Sequence, residues 1–74
     1  MDDAAGDGGD DVSVVARSII GMAERAGRRT VTRAGLRFRV VRRDGVDQIL
    51  TMDRRSDRVN VGVTDGVVTD SRVG

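Results

Sequence analysis

The 74-residue sequence has no cysteine, histidine, proline, tryptophan or tyrosine, and its single aromatic residue is Phe38. Without cysteine, neither a disulfide framework nor a thiolate metal site can form. Without histidine, the commonest general base and the commonest zinc ligand are both missing. One phenyl ring cannot supply the stacked aromatic platform of single-stranded nucleic-acid binders. Five aspartates in a glycine-rich stretch lack the spaced loop of a calcium site. Catalysis by the chain itself is therefore not expected, nor is a metal or a cofactor. No apolar run reaches bilayer-spanning length, so no membrane segment is expected. The first residues have neither the basic nor the apolar region of a secretory signal, which reads as a cytoplasmic or a processed secreted form.

What is present is charge, unevenly spread. All 13 bases are arginine, against 12 acids, for a formal net charge of +1. The opening "MDDAAGDGGDD" holds five of those acids and no base. Residues 1–11 read as a disordered acidic tail, because they offer almost nothing to bury. That leaves residues 12–74 as one small, net-positive domain with a thin stability margin. Arginine-only usage beside abundant Gly, Val, Ala and Asp also follows from a GC-rich genome, so arginine count alone identifies no partner.

From Val12 the pattern is helical. Val15, Ile19, Met22, Ala23 and Ala26 form one apolar stripe. Asp11 or Ser13 can cap its start, Gly27 is a natural stop, and Gly21 marks a kink or a break into two pieces. A short strand is possible over Thr30 to Arg33, with Ala34-Gly35 as a bend. Period two then takes over: Leu36, Phe38 and Val40 point one way, Arg37 and Arg39 the other. Asp44-Gly45 is a turn signal. In "RVNVGV", Val59, Val61 and Val63 share one face, with Arg58, Asn60 and Gly62 opposite. Asp65-Gly66 turns this strand into a last antiparallel one through Val67, Val68 and Val73.

The expected architecture is α+β: one helix packed on a small twisted mixed sheet, with an extended exposed loop between two strands. If the two main strands run parallel, a long crossing connection must join them, and the segment holding Thr51-Met52-Asp53 has that length.

That segment carries a resemblance. "TMDRRSDRVNV" looks like the signature T-M-D-x-R-x-D-R-[LV]-N-V of a bacterial and fungal group of small serine-peptidase inhibitors, matching its nine fixed positions without a gap. The group is in turn similar to the potato-inhibitor-I and eglin family. "SIIG" and the final "RVG" also sit where the group has related sequence. The resemblance implies a protruding loop, Leu50, Thr51, Met52, Asp53 and Arg54, offered in substrate-like form to a serine protease, with Met52–Asp53 as the scissile bond. Met52 would fill an apolar specificity pocket of a subtilisin-like or chymotrypsin-like enzyme. Arg58 would reach back beneath the loop from the solvent face of its strand. Arg55 would be a second strut, Asn60 a further support, and Arg54 would face the protease. Such an inhibitor is expected to act as a monomer.

The sequence departs from that pattern at several places. Val73 stands where the bacterial group has a terminal cysteine, so the group's disulfide cannot form. Asn60 stands where the eglin-like family has a second supporting arginine, although asparagine is usual in the bacterial group. "GVDQIL", residues 45–50, is longer than the family norm.

Two plainer readings compete. In one, "TMDRR" is an ordinary polar connection with Met52 packed on the sheet edge. In the other, Arg28, Arg29, Arg33, Arg37, Arg39, Arg42 and Arg43 form a basic face of a non-inhibitory protein- or nucleic-acid-binding module. The second is the less favoured, since no recognition-helix pattern accompanies it.

Overall fold

The structure, a computed structural model, describes residues 8–74, with side chains from residue 12. It is an α+β fold of two helices and a four-stranded mixed sheet. Helix α1, Gly8–Ser18, sends Val12 and Ala16 inward, and Ile19 continues that line just past its end. The helix begins before Asp11 and Ser13, so neither caps it, and it takes in the end of the expected tail; residues 1–7 lie outside the described residues.

The single expected helix is two helices. Gly21, at φ +93°, turns the chain in a conformation that a side chain would resist. Its N–H donates to the Val68 carbonyl at 2.7 Å, tying the break to the sheet. Helix α2, Glu24–Arg33, follows. Ala23 and Ala26, expected in the apolar stripe, are consequently exposed, and Gly27 and Val31 are the residues α2 buries. Gly27 is therefore no stop. It sits inside the helix where α2 presses on Val68, Ile19 and Phe38. The possible strand at Thr30 to Arg33 is the last part of α2. The threonines are accommodated there because Thr30 and Thr32 donate back to the Ala26 and Arg28 carbonyls, each at 2.9 Å.

The sheet contains β1 (Arg37–Arg43), β2 (Val46–Asp47), β3 (Arg58–Thr64) and β4 (Val67–Val73), in the order β2-β1-β3-β4. β1 and β3 are parallel; the outer pairs are antiparallel. Asp44-Gly45 and Asp65-Gly66 have positive φ at both residues, the requirement of a type I′ hairpin turn. The two turns are fastened to each other, since Asp65 N–H donates to Asp44 Oδ1 at 2.8 Å. Part of the long "GVDQIL" segment is used up as β2, which folds back on β1.

One face of the sheet makes the core. Val59, Val61 and Val63 of β3 and Val68 of β4 are fully buried against Ile19, Val31, Val12 and Ala16, with Leu36, Phe38 and Val40 packed around them. The opposite face carries Arg39, Arg58 and Asn60, by the alternation of the strands. A tight turn cannot join parallel β1 to β3, so residues 48–57 cross over this second face after β2. No described helix is long and apolar enough to cross a membrane.

Candidate functional site

The crossing segment is anchored at both ends and bare in the middle. Gln48 N–H donates to the Val41 carbonyl at 3.0 Å at one end. At the other, Arg55 N–H donates to the Gly74 main-chain oxygen at 3.2 Å, and Arg37 N–H to the Asp57 carbonyl at 2.8 Å. Among the described residues, no backbone N–H from Ile49 to Arg54 donates to another main-chain oxygen. Met52 stands at a bend and is 97% exposed, so it does not pack on the sheet edge. Ile49 is exposed throughout, and Leu50 more than a third exposed. A segment with unpaired backbone donors and protruding apolar side chains is open to contact with another protein.

The residues flanking Met52 are held from below. Thr51 Oγ1 donates to Asp53 Oδ1, so the two side chains are linked across the methionine. Arg58 Nη2 donates to the Asp53 carbonyl at 3.0 Å, and its Nη1 lies 3.6 Å from Asp53 Oδ2. The same guanidinium donates to the Gly74 main-chain oxygen through Nε at 3.1 Å and Nη2 at 2.7 Å. Arg58 is only 7% exposed and Asn60 8%, although both project from the face expected to meet solvent. The loop and the residues around Gly74 cover them. A buried guanidinium needs its N–H groups satisfied, and the Asp53 and Gly74 oxygens accept from it.

Asp53 titrates below the ordinary aspartate range, first because the Thr51 hydroxyl bonds its carboxylate, then because Arg58 and Arg39 are close. Arg55 does not reach the flanks of Met52. Its side chain forms a two-pronged pair with Asp57, at 2.9 and 3.2 Å, and this lowers the Asp57 pKa. Arg37 Nε sits 3.5 Å from the same carboxylate. Arg55 therefore fixes the base of the loop where it enters β3. Arg54 is exposed.

A residue missed by the sequence reading also meets the loop. Arg39 of β1, expected only to point away from Leu36, Phe38 and Val40 or to join a basic face, donates from Nε to Asn60 Oδ1 at 2.9 Å and from Nη1 to Thr51 Oγ1 at 3.3 Å. Its position opposite Asn60 is a matter of strand register, which one sequence does not reveal. Together Arg39, Asp53, Arg55, Asn60 and Arg72 line an open cleft between loop and sheet.

The seven arginines of the expected basic face are divided between α2 and β1. Arg43 makes a two-pronged pair with Glu24 of α2, at 2.7 and 2.9 Å, and lowers the pKa of that carboxyl. Arg28 lies 4.8 Å above the Phe38 ring, on the helical side. Arg42 pairs with Asp47 at 2.8 Å, while Arg37 and Arg39 lie towards the loop. Ion pairs with acids offset part of the charge that Arg42 and Arg43 carry. Among the described residues, no acidic cluster is arranged to hold a metal ion.

No family model matches the chain, and neither a curated protein nor a solved structure matches it.

Proposed function

We propose that the chain is a substrate-like inhibitor of serine endopeptidases, with Met52 as the side chain offered to the main specificity pocket and Met52–Asp53 as the scissile bond. One observation carries this reading: Met52 is almost wholly exposed while both its neighbours are tied into a polar network beneath it.

The mechanism follows from that contrast. A loop that must be ordered on binding loses about 0.5–1.5 kcal/mol per immobilised side chain, and a braced loop avoids much of this. The protease serine attacks the Met52 carbonyl, and the Asp53 amine leaves. Arg58 then keeps that amine close to the acyl-enzyme, so that its return competes with attack by water. Directional guanidinium hydrogen bonds do here what a disulfide does in cysteine-containing inhibitors.

The partner is a protease of apolar preference. Met52 is unbranched and adaptable, and Ile49 and Leu50 precede it. A subtilisin-like or chymotrypsin-like enzyme accommodates such side chains; a pocket with an acid at its base does not. Arg54, exposed just past the scissile bond, faces the same partner.

Titration of subtilisin and of chymotrypsin with the protein tests the reading. Inhibition of at least one enzyme, lost on Met52→Gly, is the expected result. Full protease activity at a large excess of the protein sinks it.

A further inference from the structure

The bracing of Asp53 by Arg58 leaves the other side of the scissile bond unexplained. Thr51 belongs to the half that becomes the acyl group, and the Arg58 guanidinium spends its hydrogen bonds on Asp53 and Gly74 instead. Position 60, the next outward position after Arg58 on β3, is an asparagine and supplies no charge.

We infer that Arg39, reaching from the neighbouring strand β1, is the positioning residue for the acyl half of the loop, with Asn60 as the group that aims it. The inference rests on the inhibitory reading and adds a residue, and a means of control, to it.

The geometry runs from register to chemistry. Arg39 and Asn60 are direct partners in the parallel β1–β3 pairing, so their side chains leave the sheet side by side. Asn60 is nearly buried and presents its amide oxygen to Arg39 Nε at 2.9 Å. This fixes the plane of the guanidinium and leaves Nη1 to meet Thr51 Oγ1 at 3.3 Å. A hydroxyl has one proton and two lone pairs. With Arg39 on a lone pair, the Thr51 proton is directed to the Asp53 carboxylate, the bond the structure contains.

That hydroxyl–carboxylate bond spans Met52–Asp53. After serine attack, Thr51 stays with the acyl-enzyme and Asp53 carries the free amine. While Arg39 holds the hydroxyl, the two ends remain tied side chain to side chain. The amine can then expel the serine and restore the peptide. Once Thr51 turns to solvent the tie is gone, and water completes hydrolysis to a Met52 carboxylate and an Asp53 amine. Arg39 thereby sets whether the loop is held as an inhibitor or spent as a substrate.

The test compares the wild-type chain with Arg39→Met, incubated with subtilisin, by following cleavage at Met52–Asp53 in mass spectra. Loss of one or two hydrogen bonds corresponds to about a 10-fold faster cleavage. Asn60→Arg in the Arg39→Met chain returns a guanidinium to the same place and is expected to slow cleavage again, which a merely structural role for Arg39 would not produce. Should Arg39→Met fail to fold, Arg39→Gln replaces it. Cleavage of Arg39→Met at the wild-type rate overturns the inference.

A second readout keeps the two proposals separate. The Thr51 χ1 rotamer, read from NMR scalar couplings without protease, is expected to be single in the wild-type chain and averaged in Arg39→Met. If the wild-type chain inhibits nothing, the function falls and this coupling alone decides the brace. Averaging in Arg39→Met supports it, and an unchanged coupling ends it.

Discussion

Arg58 and Gly74 hold each other in both directions. The guanidinium donates to the Gly74 main-chain oxygen through Nε and Nη2, and the Gly74 N–H returns a bond of 3.0 Å to the Arg58 carbonyl. The residue beneath the loop is thus also the residue that closes the end of β4 against β3, so stability and loop geometry share one side chain.

Replacement of Arg58 by methionine keeps the stem and removes every one of these donors. Hydrogen bonds from charged groups contribute about 1.5–3 kcal/mol each and do not add fully, so a loss of roughly 2–3 kcal/mol is expected. For a domain of this size the thermal midpoint falls by roughly 10–20 °C. Calorimetry checks this, and a midpoint within two or three degrees of wild type would show that Arg58 ties nothing down.

Ile49 offers the opposite case. Fully exposed, it contributes nothing to the core, so Ile49→Ser should leave the melting curve where it is. If its side chain enters the protease, burial of that apolar surface makes inhibition about 10- to 100-fold weaker on substitution. Inhibition constants measured against subtilisin decide this. An unchanged constant would place Ile49 outside the contact.

The Asp53 carboxyl gives a pH dependence with a definite sign. Its folded pKa lies below its unfolded value, so its contribution is complete above the ordinary aspartate value and is lost as the pH falls through the folded one. The loop is therefore expected to stay braced from neutrality down to the ordinary aspartate value, about pH 4, and to loosen as the pH falls further through the folded one. Carboxyl NMR titration is the direct check. A midpoint for Asp53 at or above that of an unstructured peptide would contradict the network around Thr51, Arg58 and Arg39.

Gly27 sets two familiar effects against each other. Alanine gains about 1 kcal/mol of helix propensity over glycine. Its Cβ, however, would lie 3.3 Å from Val68 Cγ2 and 3.7 Å from both Ile19 Cβ and Phe38 Cε1. Val68 and Ile19 are fully buried and have little room to retreat. Overpacking costs of about 1–3 kcal/mol outweigh the propensity gain. Gly27→Ala should melt several degrees lower; a higher midpoint would mean that the α2–β4 contact is slack.

The parts of the fold that sequence disclosed are those whose cause is local. Alternation in "LRFRV" and "RVNVGV" put β1 and β3 in place, and Asp-Gly pairs marked both hairpin turns. Helix α2 was obscured because it buries little beyond Gly27 and Val31, so no apolar period stood out among its arginines. The β-branched Thr30, Val31 and Thr32 suggested a strand, yet burial of Val31 against the sheet overrode propensity. At the candidate site, Arg58 and its contact with Asp53 lay within one motif. Arg39 comes from a different strand, twelve residues before Thr51, and only the pairing of β1 with β3 brings it there.

Parallel pairing of β1 and β3 has one more result. A break after Met52 detaches no fragment, because it divides the molecule between interlocked halves. Residues 8–52 keep both helices, β1 and β2, whereas residues 53–74 keep β3 and β4. Six register partners join the two halves through the sheet, and the valines of β3 lie against the helices of the other half. The severed protein is expected to hold together as a noncovalent pair of its own pieces, and peptides made separately to meet at that junction would then be complementing halves of one fold.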